Sequence, residues 1–179
     1  MNTFRIWDPL IRLFHWSLVA GFAANAVFTD PEHSLHEWVG YAVVALVAVR
    51  LAWGLVGTRY ARFASFVPTP KAVTGQITDI ATGRRSVHLG HTPLGALMIF
   101  NLLFVMLLIG LTGYMMTTNT YWGIEWVEDA HEMLVTWAEI SIVLHIAAVL
   151  WESWRTGVNL PRAMVSGVKT VPVDAKLVE

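Results

Sequence analysis

The sequence contains no cysteine. Disulfide bonds, iron–sulfur clusters held by cysteine and covalently attached c-type haem are therefore excluded. A redox metal, if the chain holds one, must be bound mainly by histidine, of which there are seven. The formal net charge of −1 at pH 7 gives no excess of positive charge, so the composition gives no indication of nucleic-acid binding.

Charged residues are also scarce, at 14% of the 179 residues, whereas hydrophobic residues make up 55%. Soluble domains carry about 25% charged residues, and a membrane-spanning helix needs about 20 mostly apolar residues. Four stretches meet this requirement: 9–29, 36–56, 92–116 and 130–154. We therefore expect an all-α integral membrane protein, a four-helix transmembrane bundle that forms a single domain over 1–179 in the lipid bilayer.

Positive charge is absent from two of the loops between these stretches. Neither 30–33 nor 117–129 contains Lys or Arg, and 117–129 carries Glu125, Glu128 and Asp129. All twelve basic residues fall on the other side of the four spans: Arg5, Arg12, Arg50, Arg59, Arg62, Lys71, Arg84, Arg85, Arg155, Arg162, Lys169 and Lys176. Because loops rich in Lys and Arg stay in the cytoplasm, we expect both termini to be cytoplasmic and the protein to lie in the bacterial inner membrane.

The longest loop joins the second and third spans. Pro68 and Pro70 begin it, and 71–82 follows with the sequence KAVTGQITDIAT. This segment fits either a short helix at the membrane interface or a plain loop with one helical turn. The tail after Gly167 follows the last span, and we expect it to be frayed.

Two histidines, His131 and His145, lie fourteen residues apart in the fourth span. An α-helix turns about 100° per residue, so fourteen steps place both imidazoles within roughly 40° of each other, about 21 Å apart along the axis. His15 lies one turn inside the cytoplasmic end of the first span, and His36 begins the second span at the outer face. Depth therefore pairs His15 with His145 near the cytoplasm and His36 with His131 near the opposite face.

Ionisable residues inside a membrane are costly and usually serve a function. A single histidine at a helix end is often only an interfacial polar residue, but two pairs matched by depth indicate metal ligands. One imidazole on each side of a haem gives six-coordinate, low-spin iron, which suits electron transfer better than oxygen binding. We therefore predict two haem b groups, an inner one held by His15 and His145 and an outer one held by His36 and His131.

Two residues of the second span share the face of His36. Gly40 lies one turn away, where a missing side chain would let a porphyrin approach, although close helix packing would also explain a glycine. Arg50 lies fourteen residues after His36 and could pair with the propionates of the inner haem. The alternative for Arg50 is simple snorkelling of its side chain to the cytoplasmic interface.

Four further polar residues have roles that the sequence leaves open. His91 could donate to an inner propionate or line a quinone pocket, or it could be a plain loop residue, and His88 lies beside it. Glu139 is an acid inside a span, and it could relay protons to a quinone or bond to a neighbouring helix. His33, in the outer turn, could donate to an outer propionate.

These residues lie in segments that resemble the prokaryotic cytochrome b561 family, which includes the cytochrome b subunits of nickel–iron hydrogenases and the superoxide oxidase branch. The resemblance covers nearly the whole chain and is carried by WDPLIRLFHW, HEWVGYAVVALVAVRLAWGLVG, HLGHTPLGALM and the AHE…LH helix. It implies a four-helix membrane bundle with two b haems, whose ligands fall on His15, His36, His131 and His145. Thr92 departs from the GHNP form of the third motif, which leaves the subfamily open.

The first functional hypothesis is a di-haem electron carrier between the quinone pool and a periplasmic donor, such as a c-type cytochrome or a hydrogenase. An alternative is a superoxide:quinone oxidoreductase, and a more remote one is a histidine-bearing metal transporter or scaffold with no redox role. Whether the protein is a carrier or an enzyme stays open, as do the direction of electron flow and the formation of a homodimer. The acidic outer loop favours a protein donor over superoxide, because it would attract a basic partner and would repel an anion.

Overall fold

A computed structural model describes residues 1–31, 33–173 and 175–178. The elements in chain order are β1 (Asn2–Arg5), α1 (Pro9–Phe28), α2 (Ser34–Val56), a short 3₁₀ helix (Phe63–Ser65), α3 (Pro70–Ala81), β2 (Ser86–His88), α4 (Pro93–Met116), α5 (Glu125–Thr156), α6 (Leu160–Ser166), β3 (Val168–Val171) and β4 (Lys176–Val178). Helices therefore account for most of the chain, and the four strands are three or four residues long.

Within the described residues, four helices are long and apolar enough to cross a membrane: α1, α2, α4 and α5. Only 11% to 22% of the residues in their most apolar windows are buried within the protein, so most of their apolar side chains face outward. This is the pattern expected of helices whose solvent is lipid. The four spanning helices expected from the sequence are thus confirmed, while the orientation of the termini stays a prediction.

Helix α5 begins at Glu125, five residues before the start of the apolar stretch that predicted it. Glu125 and Glu128 lie in its first turn, where negative side chains interact favourably with the positive end of the helix dipole. Arg155 lies in the last turn, where a positive side chain has the corresponding effect. A prediction from hydropathy alone limits the helix to the apolar stretch. It therefore underestimates the length of α5.

The contacts divide the chain into two compact units. The first, called the terminal unit below, consists of Met1–Arg12, Ala52–Ile99 and Val143–Glu179. The second, called the central unit, consists of Leu13–Leu51 and Phe100–Ile142. The expectation of a single domain over 1–179 stays a prediction.

The described residues of the tail, 168–173 and 175–178, include strands β3 and β4, so the expectation of a frayed tail is wrong for them. Strand β3 pairs antiparallel with β1, from Asn2 opposite Val171 to Arg5 opposite Val168. Strand β4 pairs parallel with β2. Each of these strands pairs with a strand that is distant in the sequence. No local sequence pattern in the tail therefore predicts the pairing.

Gly167 joins α6 to β3 with a φ of +81°, in the left-handed region that favours glycine. A side chain at this position would also be obstructed, because a Cβ would lie 2.7 Å from the carbonyl oxygen of Trp7. The backbone amides of Ile6 and Trp7 both donate to the Gly167 carbonyl, at 3.0 and 3.2 Å. Gly167 therefore allows the C-terminal segment to lie against the N-terminal one.

Asp8 explains the start of α1 in the terminal unit. Its Oδ1 accepts from the backbone amide of Ile11 at 2.9 Å, and its Oδ2 accepts from Trp53 Nε1 at 3.1 Å and from Thr58 Oγ1 at 2.6 Å. Burial acts to raise the pKa of Asp8, but the hydrogen bonds from Thr58, Ile11 and Trp53 together outweigh it and leave the pKa lowered. Asp8 therefore caps α1 as a carboxylate and ties it to the end of α2.

Helix α3 occupies the segment for which the sequence allowed either a helix or a loop. Pro70 stands at its first position, and Thr69 caps it by accepting from the amide of Ala72 at 3.2 Å. Gln76 is buried, and its Oε1 accepts from the amide of Leu94 at 2.8 Å. This bond satisfies one of the amides at the start of α4 and fixes α3 against it.

A polar contact joins α4 and α5 in the central unit. The Asn101 amide donates to Ser141 Oγ at 3.0 Å, and Trp137 Nε1 donates to Asn101 Oδ1 at 3.1 Å. A Cβ at Gly110 would overlap the Val44 side chain, so α2 and α4 approach each other closely there. Hydrogen bonds and small residues of this kind hold membrane helices together where hydrophobicity offers no preference for protein over lipid.

Candidate functional site

The central unit brings His36 of α2 and His131 of α5 together. Their ring centroids are 6.5 Å apart, and the ring planes are inclined at 65°. Both side chains are half-buried. The structure therefore places together the two histidines that the sequence assigned to the outer pair.

A threonine hydroxyl contacts the Nδ1 atom of each of these rings. Thr112 Oγ1 lies 2.9 Å from His131 Nδ1 and 2.9 Å from the carbonyl oxygen of Leu108. Thr29 Oγ1 lies 3.1 Å from His36 Nδ1 and 2.7 Å from the carbonyl oxygen of Asn25. Because each hydroxyl has one hydrogen and a carbonyl can only accept it, each hydroxyl accepts from the Nδ1–H of its histidine.

This hydrogen-bond pattern assigns both rings to the tautomer that carries its proton on Nδ1. The Nε2 atom of each neutral imidazole then keeps its lone pair for a metal. Histidine ligands of metals usually donate their other N–H in this way, which fixes the ring and makes it a stronger ligand. Thr29 and Thr112 were not among the residues singled out from the sequence, since a threonine in a helix commonly bonds to a carbonyl one turn earlier.

The distance between the rings fits a haem. A ligating imidazole nitrogen lies about 2 Å from its metal, and the ring centre lies roughly 1 Å further, so two imidazoles on opposite sides of one iron have centroids about 6 Å apart. The observed separation is 6.5 Å. Among the described residues no group of three or more His, Asp or Glu is placed to hold a metal ion, whereas a haem needs only two protein ligands because the porphyrin supplies the other four.

Glycine lies beside this pair as well. A Cβ at Gly113 would lie 3.3 Å from His131 Cε1, so a larger side chain would press on the ring. A Cβ at Gly40 would meet only Asn25 Nδ2, at 3.9 Å, among the described residues. Close packing against a neighbouring helix therefore does not account for Gly40, and its role beside a porphyrin stays a prediction.

The structure describes His15 and His145 in different units, so the inner pair stays a prediction. His15 contacts Trp16 edge-on, with ring centroids 5.0 Å apart. Both histidines are half-buried. His15 follows one turn after Ile11, which is buried in the terminal unit.

Arg50 is 4% exposed, and a charged side chain is seldom buried to this extent unless it has an acceptor or an anion to interact with. Snorkelling to a solvated interface does not describe a side chain so fully covered. Arg12, which could also assist an inner propionate, donates from Nη1 to the carbonyl oxygen of Val165 at 2.9 Å. The pairing of Arg50 with a propionate stays a prediction.

Four other polar residues were candidates for the site. His91 packs between Trp7 and Phe66, with ring centroids at 4.6 and 4.2 Å. His88 ends strand β2. Glu139 is exposed on α5, so no bond to a neighbouring helix is seen for it among the described residues. His33 is exposed in the outer turn, where its amide donates to the carbonyl oxygen of Asp30.

The comparisons with curated proteins and with solved structures give no match. A family model described as prokaryotic cytochrome b561 matches residues 6–167, which is most of the 179-residue chain. The match includes all four predicted ligands and all four spanning helices, and it confirms the resemblance carried by the sequence motifs. The protein is therefore a multi-pass membrane cytochrome that binds b-type haem and takes part in electron transfer, and it belongs to the prokaryotic cytochrome b561 family.

Proposed function

We propose that this chain holds two b haems and carries electrons between a periplasmic redox protein and the quinone pool of the bacterial inner membrane. The observation that carries the proposal is the outer pair, in which His36 and His131 stand at the separation that one haem iron requires. The family supports the presence of b-type haem. When bound, the haem supplies a one-electron iron couple.

The residues of the outer pair suit electron transfer rather than catalysis at the metal. His36 and His131 would be the two protein ligands of the haem, which would supply one-electron transfer and not a binding site for oxygen or another substrate. Thr29 and Thr112 hold both rings in one tautomer and one orientation. Because the ligands are held in place beforehand, their rearrangement during a change of charge at the site would be small.

We place the second haem from the positions of His131 and His145 along α5, and not from a distance between two histidine rings. His131 and His145 share one face of a continuous helix that runs from Glu125 to Thr156. His15 would be the partner of His145, and buried Arg50 would neutralise a propionate on that side. The two sites would then lie at different depths of the membrane, as a relay across it requires.

The charge asymmetry orients the proposed relay. The positive-inside rule places the loops rich in Lys and Arg in the cytoplasm and the loop before α5 in the periplasm. Glu125, Glu128 and Asp129 are all exposed on that loop and the first turn of α5, near His131 in the sequence. A basic electron-transfer protein is therefore the partner that this face would attract.

The first test is a count of haem in the detergent-purified protein. A dithionite-reduced minus oxidised spectrum should show low-spin b-type bands, and a pyridine haemochrome assay should give about two haems per chain. A count of one haem would contradict the di-haem proposal. A colourless protein with normal helicity would contradict haem binding altogether and would favour a scaffold or transporter.

Reversal of the acidic face should slow the reaction with a basic donor. We expect the triple change Glu125→Lys, Glu128→Lys and Asp129→Lys to lower the second-order rate of electron exchange with a basic c-type cytochrome by about 10-fold or more at low salt, and much less at high salt. Stopped-flow absorption at the haem bands measures this rate. A matched triple change to Gln should give an intermediate effect, and equal rates for all three proteins at low salt would exclude docking at this face.

A further inference from the structure

Glu139 is an acidic side chain inside the membrane-spanning part of α5, and it faces away from the rest of the protein. It follows Ala130, the first residue of the apolar stretch, by nine positions. At 1.5 Å per residue it therefore lies about 14 Å inside that stretch, farther than a glutamate side chain can reach. Ionisable residues in spanning helices almost always face a bundle interior or a water-filled cavity, so this exposed carboxyl group requires an explanation.

A carboxyl group in hydrocarbon needs a hydrogen-bond partner, because without one its loss of water is strongly unfavourable. Elsewhere in the central unit this need is met within the chain, where the Asn101 side chain bonds to Ser141 and Trp137 of α5. No such bond is seen for Glu139 among the described residues. A partner from outside the chain would supply it, as polar side chains do between neighbouring membrane helices.

Thr136 is a second polar group on the same side of α5. It lies one turn before Glu139 and is also exposed. Thr112 and Thr156, in spanning helices, each donate to a carbonyl oxygen one turn earlier, whereas no hydrogen bond is seen for the Thr136 hydroxyl in the described part of the chain. Because helical side chains point towards the N-terminus, the Glu139 carboxyl group lies at the depth of Thr136. One acceptor and one donor thus share a depth on this surface.

These two residues belong to a row of exposed side chains that recurs every 3.5 residues along α5. All members of the row are exposed, and Val143 is 65% exposed. A spacing of alternately four and three residues is the one with which two helices contact along their length, both in coiled coils and in membrane bundles. We call this row the α5 seam, and it consists of Glu132, Thr136, Glu139, Val143, Ile146 and Leu150.

The α5 seam is separate from the side of the helix that carries the histidines. At 100° per residue, its centre lies roughly 120° around the helix from His131 and His145. Ala138 and Ser141, which are buried, lie on the histidine side. A haem held by these histidines would therefore leave the seam uncovered.

The rest of the exposed surface of α5 is hydrophobic between residues 133 and 150. Lipid is a sufficient neighbour for such side chains, but it offers no hydrogen bond to Thr136 or Glu139. The seam is therefore the part of this surface that needs a protein neighbour. The other exposed residues of this stretch are Met133, Trp137, Ile140, Leu144, Ala147 and Ala148.

From these observations we infer that the α5 seam is the contact surface between two copies of this chain. Copies inserted in the same orientation have parallel α5 helices, and a two-fold axis along the membrane normal places each residue at the depth of its equivalent. Glu139 of each copy then accepts from the Thr136 hydroxyl of the other.

Self-association satisfies both polar groups at once, because the symmetry supplies each donor with its acceptor twice. A different membrane protein would need its own donor and acceptor at this same depth. Val143, Ile146 and Leu150 continue the contact towards the end of the helix, with the apolar residues that such seams prefer. A polar position within an apolar seam also fixes the register of the two helices.

Cysteine cross-linking tests the inference without background, because the natural chain has no cysteine. Val143→Cys places a thiol in the seam, and Leu144→Cys places one on the next residue, which is exposed but lies outside the seam. A disulfide forms only where the two Cα atoms come within about 7 Å. In haem-loaded protein in phosphatidylcholine vesicles, oxidation by copper-phenanthroline should link Val143→Cys into a product of twice the chain mass. Leu144→Cys should give only collisional product that disappears as lipid is added.

Variants of the two polar residues in the Val143→Cys protein test the proposed hydrogen bonds. Glu139→Leu should raise the protein-to-lipid ratio needed for half cross-linking by about tenfold, since both symmetric bonds are lost. Thr136→Val keeps the shape of the side chain and should act in the same direction, so the test does not depend on one variant. Glu139→Gln keeps an acceptor and should stay within about threefold of the parent protein.

The haem content of every variant shows whether it has folded, and it does not depend on the seam. Equal cross-linking of Val143→Cys and Leu144→Cys, or an unchanged ratio in both Glu139→Leu and Thr136→Val, would overturn the inference. Oxidation of Val143→Cys in native membranes that gives a product of any other mass would assign the seam to a different subunit, and would overturn it too.

Discussion

The change from His131 to alanine should reduce the haem content from about two per chain to about one. The variant removes one of the two imidazoles whose ring centroids lie 6.5 Å apart, so the outer haem would lose one of its two protein ligands and would be held more weakly. The remaining haem should be the inner one, because His15 and His145 are unchanged. The pyridine haemochrome count and the amplitude of the reduced minus oxidised spectrum measure this loss.

Variants of Thr112 separate the loss of a ligand from a general disturbance of the helix. Thr112→Val keeps the shape of the side chain and removes the hydroxyl that accepts from His131 Nδ1–H. Loss of such a contact typically weakens metal binding about 10–100-fold, so we expect partial loss of the outer haem. Thr112→Ser keeps the hydroxyl and should keep both haems. A full haem content in His131→Ala, or the loss of both haems in a folded protein, would contradict the assignment of the pairs.

The spanning helices and the outer histidine pair could be predicted from the sequence because both depend on properties that are local along the chain. Apolar length defines a span, and the register of a helix places His131 and His145 on one face. The pairing of His36 with His131 followed from depth alone, and the structure brings these two rings together. These inferences required no knowledge of which helices are neighbours.

The contacts that support the site could not be predicted in this way. Thr112 lies nineteen residues before His131, in another helix, and only the packing of α4 against α5 shows that its hydroxyl accepts from that ring. The same holds for Lys169, whose three acceptors lie about eighty residues earlier in the sequence. The sequence predicted only a frayed tail after Gly167, and a lysine is rarely buried, so these contacts were not predicted.

Lys169 is expected to be the residue of the tail with the largest effect on stability. Its Nζ donates to three backbone carbonyl oxygens of the segment 88–90, and it lies 5.7 Å from the centroid of the Trp7 ring. Lys169→Met would leave these carbonyls buried without their donor, a loss of about 3 kcal/mol. For a chain of this size we expect the Tm to fall by roughly 6–12 °C, as followed by circular dichroism in detergent.

The matched control is Lys176→Met, since Lys176 lies on β4 in the same tail but is exposed. This variant removes an equal charge and should change the Tm by no more than about 1 °C. Equal Tm values for Lys169→Met and the wild type would show that the three hydrogen bonds contribute nothing net. A fall of similar size in both variants would show that the effect comes from the charge of the tail and not from the buried contacts.

The pH dependence of stability gives this prediction a second and independent readout. Burial lowers the pKa of Lys169 to about 8 from an ordinary value of 10.5, although Glu152 acts to raise it. Between these two pH values the unfolded chain binds more protons than the folded one, so the contribution of Lys169 to stability grows as the pH rises. The cost of burying the charge is fully present below about 8 and absent above about 10.5, and it acts in addition to the contribution of the three hydrogen bonds. The difference in Tm between the wild type and Lys169→Met should therefore widen from pH 8 towards pH 10.5, and a constant difference would place the pKa of Lys169 at its ordinary value.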